Sequence, residues 1–418
     1  MNPPLLQKVK HLLANRQATA CLVGLMCCVT LIMSGPNVIS YELDSDPLAL
    51  ASCLGLGMAL GYALASFQTH SRRSLGLIPY ASLGLALVLA GNMISRNGYL
   101  VSGLLGIAGG IALRSLLRGY WRASYPVIDE AAGVLLFAIA FCFVMFINPM
   151  LDRALILRPR TELLIVFALA VIACIVSWWL LLREAIEFFI EILLWPMYRL
   201  KAYGPGRSSE HHQGPLIVVS NHTAWLDPLW LAKFVDRSVT PMMTSKYYDV
   251  PILRWLIAKV AHAIRVQAGT FRRDVPELRE AVEVLDRKGC LVIFPEGFMR
   301  RSDDRPLRNF GQGVWRILRE RPATRVLICW IEGGWGSFTS YRGGLPMRNK
   351  PLDWRRPINV AMELPLVLEP GLLEDQRATR HFLMQKCLRA RALLGLEPFE
   401  LDVTADEEPE KDTVASSE

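Results

Sequence analysis

The sequence predicts a membrane α-helical bundle of six transmembrane helices followed by an α/β domain. Three observations lead there. The 418 residues are 52% hydrophobic and only 20% charged, and mean hydropathy is positive at +0.29, which is more apolar than an ordinary soluble chain. Long apolar stretches fill the chain up to Arg183 and then cease. Beyond Gly206, short apolar runs alternate with helical patterns, the signature of a sheet with helices packed on it.

Six stretches are long and apolar enough to cross a bilayer, which takes about 20 residues each. They run near Ala18–Gly35, Leu48–Phe67, Leu75–Ile94, Tyr99–Leu117, Val127–Asn148 and Leu163–Leu182. Together they define a membrane domain over residues 1–183. The fourth carries Arg114 close enough to its end to snorkel. The first resembles a signal peptide in length, but Ser34-Gly35-Pro36 is a poor cleavage site, so it reads as a retained helix. Positive charge falls on alternate sides: Lys8, Lys10 and Arg16 precede the first span, Arg72 and Arg73 follow the second, and Arg118 and Arg122 follow the fourth. The loop after the first span is acidic (Glu42, Asp44, Asp46), while Arg153, Arg158 and Arg160 break the alternation. The balance places both termini on the cytoplasmic side of a multi-pass inner-membrane protein.

Residues 184–206 read as an interfacial amphipathic helix and linker, with Phe188, Phe189, Trp195 and Tyr198 set among charges. Residues 207–400 form the α/β domain. Its expected strands are Leu216–Val219, Cys290–Phe294, Val326–Ile331 and Ile358–Met362; its expected helices are Pro228–Val235, Pro251–His262, Pro276–Lys288, Gly313–Arg319 and a closing basic helix over Gln376–Leu394. The tail, 401–418, holds seven acidic residues against Lys411 alone and is expected to be disordered. With a formal net charge of +8, the rest of the chain carries about +14. A basic body beside apolar segments suits an anionic membrane surface and anionic substrates. No nucleic-acid-binding motif stands in the chain, so nucleic acid is not an expected partner. Most of the nine cysteines sit inside apolar runs with no C-x-x-C pair, as buried thiols on a reducing side would.

One stretch concentrates the chemistry. The apolar run from Pro215 to Val219 delivers Ser220-Asn221-His222-Thr223-Ala224-Trp225-Leu226-Asp227-Pro228. On a regular helix His222 and Asp227 would stand roughly 140° apart, so they meet only if the chain turns between them. Asp227-Pro228 supplies the turn, since Asp caps helices and Pro favours the first helical position. The reading is strand, loop carrying His222, helix from about Pro228. A histidine held by a carboxylate is the usual means of deprotonating a hydroxyl near neutral pH: the imidazole takes the proton and the carboxylate fixes its tautomer. An H-x4-D spacing alone also fits an ordinary helix cap. Downstream, the apolar run Cys290–Phe294 leads into Pro295-Glu296-Gly297.

Together, Asn221-His222-x4-Asp227 and Phe294-Pro295-Glu296-Gly297 resemble the hallmark of the glycerolipid acyltransferase superfamily, which includes bacterial 1-acylglycerol-3-phosphate acyltransferases. The likeness covers roughly Leu193 to Leu368. It implies an acyltransferase fold for residues 207–400, with His222 as general base, Asp227 as its orienter, and direct attack of an acceptor hydroxyl on an acyl thioester. It implies no metal and no cofactor beyond the donor, acyl-CoA or acyl-carrier protein. Glu296 and Gly297 would bind the acceptor or organise the site, Gly letting backbone N–H groups approach a ligand. Arg272 and Arg273 stand at the family's second block, whose arginine holds the acceptor phosphate, and Arg300 or Arg301 fills the shifted place of the arginine after F-P-E-G; forked donors suit a phosphate. Ala224 stands where many relatives have Ser, and Ile328 replaces the usual proline of the fourth block. Gly333-Gly334-Trp335-Gly336 reads as loop glycines, since no P-loop Lys-Ser/Thr follows.

The first half has a likeness of its own. Gly61-Tyr-Ala-Leu-Ala-Ser-Phe67 with Arg72-Arg73, then Leu75-Gly-Leu-Ile-Pro79, resembles the loop after the second helix of a major-facilitator half. Gly106-Ile-Ala-Gly-Gly110 resembles a glycine-rich span in the lysophospholipid transporters of that superfamily, some of which are fused to acyltransferases. Six spans are half such a carrier, so transport would need two chains to pair through this region. The simpler expectation is that these glycines permit close helix packing. The sequence thus points to a membrane acyltransferase working on lysophospholipid among membrane phospholipids, with lysophosphatidate as the default acceptor. The rival is a lipid-carrier half or scaffold coupled to re-acylation.

Overall fold

The structure is a computed structural model that describes residues 24, 46–66, 75–92, 97–124, 159–235, 237–249, 254–267, 276–397 and 399. The chain divides into two units, Met1–Ile192 and Leu193–Glu418.

The first unit is helical: α1 Pro47–Ser66, α2 Leu77–Asn92, α3 Gly98–Ser124, α4 Pro159–Leu180 and α5 Leu182–Leu194, the last running two residues past the unit's end. Glycine sets how closely α1 and α3 approach. A Cβ on Gly57 would lie 2.2 Å from the Gly103 carbonyl oxygen, and one on Gly106 would lie 2.3 Å from that of Leu54. Ser102 seals the contact by donating to the Leu50 carbonyl at 2.8 Å. The glycine stretch likened to transporters therefore makes helix–helix contact. Among the described residues, Leu48–Ser66 and Gly98–Tyr120 are long and apolar enough to cross a membrane; Leu164–Leu180 and Leu182–Leu194 qualify only together, as one span bent by 82°. That makes two or three spans where the sequence predicts six. The third stretch is a shorter apolar helix, Leu77–Gly91. The stretches at Ala18–Gly35 (Gly24 apart) and Val127–Asn148 lie outside the described residues, as does the acidic tail.

The second unit is the predicted α/β fold. Its strands are β1 Tyr198–Tyr203, β2 Leu216–Val219, β3 Val239–Thr244, β4 Ile264–Val266, β5 Cys290–Ile293, β6 Arg325–Glu332 and β7 Arg356–Met362. They form one seven-stranded sheet in the order β1-β7-β6-β2-β5-β3-β4. β2 to β6 are mutually parallel, β7 runs antiparallel to β6, and β1 is parallel to β7. All four residues of β2 are fully buried, as expected of a strand covered on both faces. The period of two divides them: Ile217 and Val219 face a core with Ala281, Val314 and Leu383, while Leu216 and Val218 face one with Trp230 and Leu231. The helices behind these cores are α6 Asp227–Phe234, α8 Pro276–Asp286, α9 Gly313–Glu320 and α11 Gln376–Ala392; α7 Ser245–Tyr248 and α10 Pro370–Glu374 are single turns.

The four expected strands are present within two residues, but β1, β3 and β4 extend the sheet further. β1 occupies part of the stretch read as interfacial helix and linker. The helix ends at Leu194, just before Trp195-Pro196, because Pro disfavours helix in the residue before it. Tyr198, Leu200 and Ala202 then alternate with Arg199, Lys201 and Tyr203 against β7. The helix expected at Pro251–His262 is reduced among the described residues to Arg254–Trp255 and a π turn at Leu256–Val260.

Candidate active site

The site grows from two parallel neighbours that end side by side. Val219 of β2 pairs with Ile293 of β5, so Ser220–Asp227 and Phe294–Gly297 leave the sheet at the same carboxyl edge, where open α/β sheets place their ligands. Asn221 fixes the first loop at its root. Its Nδ2 donates to the Ile331 carbonyl at 2.9 Å and its Oδ1 accepts from the Ile331 N–H at 2.7 Å. The side chain thus continues the β2–β6 ladder beyond the strand.

The loop turns as the spacing requires and closes on Asp227, the first residue of α6. Asp227 is 0% exposed. Its Oδ2 accepts from Thr223 N at 2.5 Å, Ala224 N at 2.9 Å and His222 Nδ1 at 2.9 Å, while Thr223 Oγ1 donates to Oδ1 at 3.3 Å. Asp227 does not cap the helix as its sequence suggests: Leu226 holds the cap position with no side-chain bond, and the Asp227 carboxylate instead ties the N–H groups of the preceding loop while partnering the imidazole. Because a carboxylate only accepts, Nδ1 carries the proton and Nε2 presents its lone pair. Nε2 makes no hydrogen bond among the described residues, and the His222 side chain keeps 19% exposure. A buried carboxylate behind an accessible imidazole is the arrangement that general-base chemistry needs.

The second motif holds the same histidine from other sides. Phe294 stacks under the imidazole with centroids 4.2 Å apart and planes 20° apart. Glu296 Oε1 accepts from His222 N at 2.6 Å and Oε2 accepts from Arg308 N at 2.9 Å, while Arg300 N donates to the His222 carbonyl at 2.8 Å. Both ends of the His222 residue are thereby clamped. Glu296 is 7% exposed, and burial pushes its carboxyl up to about 8, against the opposing pull of the N–H groups of Arg308 and His222. Both oxygens bond backbone N–H groups, so Glu296 ties the His222 loop to the chain at Arg308. Gly297 has φ +75° and open space around a built Cβ, so glycine is there for the left-handed turn. Its N–H closes that turn on the Phe294 carbonyl at 3.1 Å.

The four arginines read as phosphate contacts separate. Arg272 and Arg273 lie outside the described residues. Arg300 is committed: Nε donates to Ser302 O at 2.8 Å, Nη2 to Asp303 O at 3.1 Å, and the guanidinium lies 4.9 Å from the Trp335 ring centroid. Arg301 is exposed over Tyr341 at 4.9 Å, leaving its donors the more available. Sequence reasoning passed over Thr223, whose N–H and hydroxyl both serve Asp227, and Gly334. A Cβ on Gly334 would fall 2.2 Å from Thr223 Oγ1 and 3.4 Å from Asp227 Oδ1. Gly334 lies over a hundred residues from His222 in the chain, so no local pattern marks it.

Residues 200–331 match the protein family described as Acyltransferase. That acyltransferase segment runs from β1 to the end of β6 and contains His222, Asp227 and the whole F-P-E-G turn. A solved structure similar to the chain is the 1-acyl-sn-glycerophosphate (LPA) acyltransferase PlsC from Thermotoga maritima, with 18% sequence identity, a TM-score of 0.40, and coverage of 61% of this chain and 91% of that one. No curated protein matches the chain.

Proposed function

We propose that the protein is a membrane-bound O-acyltransferase that moves a fatty acyl group from acyl-CoA or acyl-carrier protein to the hydroxyl of a lysophospholipid, 1-acylglycerol-3-phosphate before other lysophospholipids, with its acyltransferase domain in the cytoplasm. The observation that carries the reading is the 2.9 Å contact between His222 Nδ1 and a buried Asp227 inside the acyltransferase segment. In this reaction His222 Nε2 takes the proton of the acceptor hydroxyl as its oxygen attacks the thioester carbonyl. Asp227 steadies the imidazolium that forms. Collapse of the tetrahedral intermediate breaks the C–S bond, and the imidazolium returns its proton to the departing thiolate. The products are the new ester and free thiol. The proposal is tested with purified full-length protein against lysophosphatidate, lysophosphatidylethanolamine and other lysolipids, each with both donor types. Acyl transfer to none of them overturns it.

A further inference from the structure

We propose that the acyltransferase-bearing unit carries its own contact with an anionic phospholipid bilayer, made by the tip where the β6–β7 loop meets the start of β1. This rests on the membrane-bound part of the reading above but on none of its chemistry. Trp354 is 76% and Trp195 72% exposed, and Leu193, Leu345, Met347 and Leu352 are exposed beside them in the chain. Two backbone bonds hold these segments together: Arg355 N donates to Pro196 O at 2.9 Å and Arg356 N to Met197 O at 2.8 Å. The two tryptophans thus precede paired strands at one edge of the sheet. The tip is braced from behind, because Asp353 Oδ2 accepts from Tyr198 Oη at 2.9 Å and from Phe338 N at 2.7 Å. Exposed apolar side chains on a braced tip call for an occupant.

Charge and continuity name that occupant. Residues 341–357 hold five basic residues, Arg342, Arg348, Lys350, Arg355 and Arg356, against the single acid Asp353. Arg342, Lys350 and Arg356 are tied to Asp303, Ser340 O and Gly333 O. Arg348 and Arg355 are exposed and make no ion pair among the described residues. Tryptophan beside uncommitted arginine is the composition that settles at a headgroup layer, each basic residue near an anionic surface adding about 1 kcal/mol. Leu193 lies in the last turn of α5, the bent partner of a candidate span, and Trp195 directly follows that helix.

The test uses the full-length protein in nanodiscs with an environment-sensitive fluorophore on Leu352→Cys. Met347→Cys serves as a second site should the first fail to fold, and the labelled wild-type chain sets the background. Leu364→Cys, at the far end of β7 and also exposed, is the control. In discs with roughly 30 mol % phosphatidylglycerol and a headgroup nitroxide lipid, the tip label should lose on the order of half its emission while the control does not. Arg348→Glu with Arg355→Glu should remove most of that loss and leave acyl transfer to a water-soluble short-chain acceptor unchanged. Equal quenching of tip and control overturns the proposal. So does shielding of the tip seen only in discs holding two chains, which would assign the patch to a second copy.

Discussion

Asp227→Asn isolates the charge of the candidate dyad because the surrounding bonds leave everything else in place. The carboxylate oxygen facing His222 also accepts from the N–H groups of Thr223 and Ala224. Those three donors select which way an amide turns: its oxygen takes the Oδ2 position and its NH2 faces Thr223 Oγ1, a hydroxyl able to accept. The imidazole therefore keeps its Nδ1 proton and its orientation, and only the negative charge is lost. At 2.9 Å and an effective dielectric near 20, attraction to an imidazolium is about 6 kcal/mol, a ceiling. The gap between a charged and a neutral hydrogen bond, about 1–2 kcal/mol, is the floor. A loss of about 3–4 kcal/mol corresponds to a fall in kcat on the order of 10²–10³. Folding stability should shift by under about 1 kcal/mol, whereas Asp227→Ala, which strands two buried N–H donors, should cost about 2–5 kcal/mol. Thiol release from acyl-CoA measures the first effect and thermal melting the second. A kcat for Asp227→Asn within about threefold of wild type would refute the dyad, and melting like Asp227→Ala would refute the pinned amide.

Three further outcomes are expected. Glu296, whose carboxyl burial holds near 8, binds more protons folded than unfolded between about pH 4.5 and 8, so its contribution is complete below that window and is lost as pH rises through it. Stability should fall by up to about 1.4 kcal/mol per pH unit there, and Glu296→Gln should flatten that slope in denaturant titrations run at successive pH values. Gly334→Ala must displace Thr223 Oγ1 from 2.2 Å, costing about 1–3 kcal/mol and lowering kcat more than KM; unchanged kcat would mean that Thr223 does not position Asp227. If lysophosphatidate is the acceptor, neutralising Arg301, or whichever of Arg272 and Arg273 meets its phosphate, should raise acceptor KM on the order of 10–100-fold with donor KM unchanged, while Arg300→Ala should chiefly lower the melting temperature.

The sheet's centre was legible because β2, β5 and β6 are unbroken apolar runs, which is what burial on both faces demands. The edges were harder. β1 mixes Arg199 and Lys201 into its alternation, β3 carries Pro241, and β4 is three residues long; each is a strand because of its neighbour. The contact between His222 and Asp227 was legible from the turn expected at Asp227-Pro228, although the Asp227 side chain binds the loop before the helix and does not cap it. The partners of Glu296 were not, since they are backbone N–H groups of His222 and Arg308 supplied by the fold. In the same way, nothing in an Arg-Arg pair tells that Arg300 is spent on carbonyls while Arg301 faces outward.

The two motifs, seventy residues apart, act on one imidazole. The first loop supplies the ring and, through Asp227, the proton position on Nδ1. The second supplies the plane through Phe294 and the backbone clamp through Glu296 and Arg300. A base on an unsupported loop would sample many orientations, and misplacement by about 1 Å can cost 10²-fold in rate. For the general base proposed above, a strand end, a stacked ring and bonds to both ends of His222 restrict that freedom in the free protein. The same economy explains why Glu296 tolerates burial. Its work is done by accepting two N–H groups, which a carboxyl of either charge can do, and a neutral carboxyl leaves Asp227 as the negative charge in contact with the imidazole. Joint occurrence of the motifs is therefore more informative than either alone, because each completes the immobilisation of a residue the other half-holds.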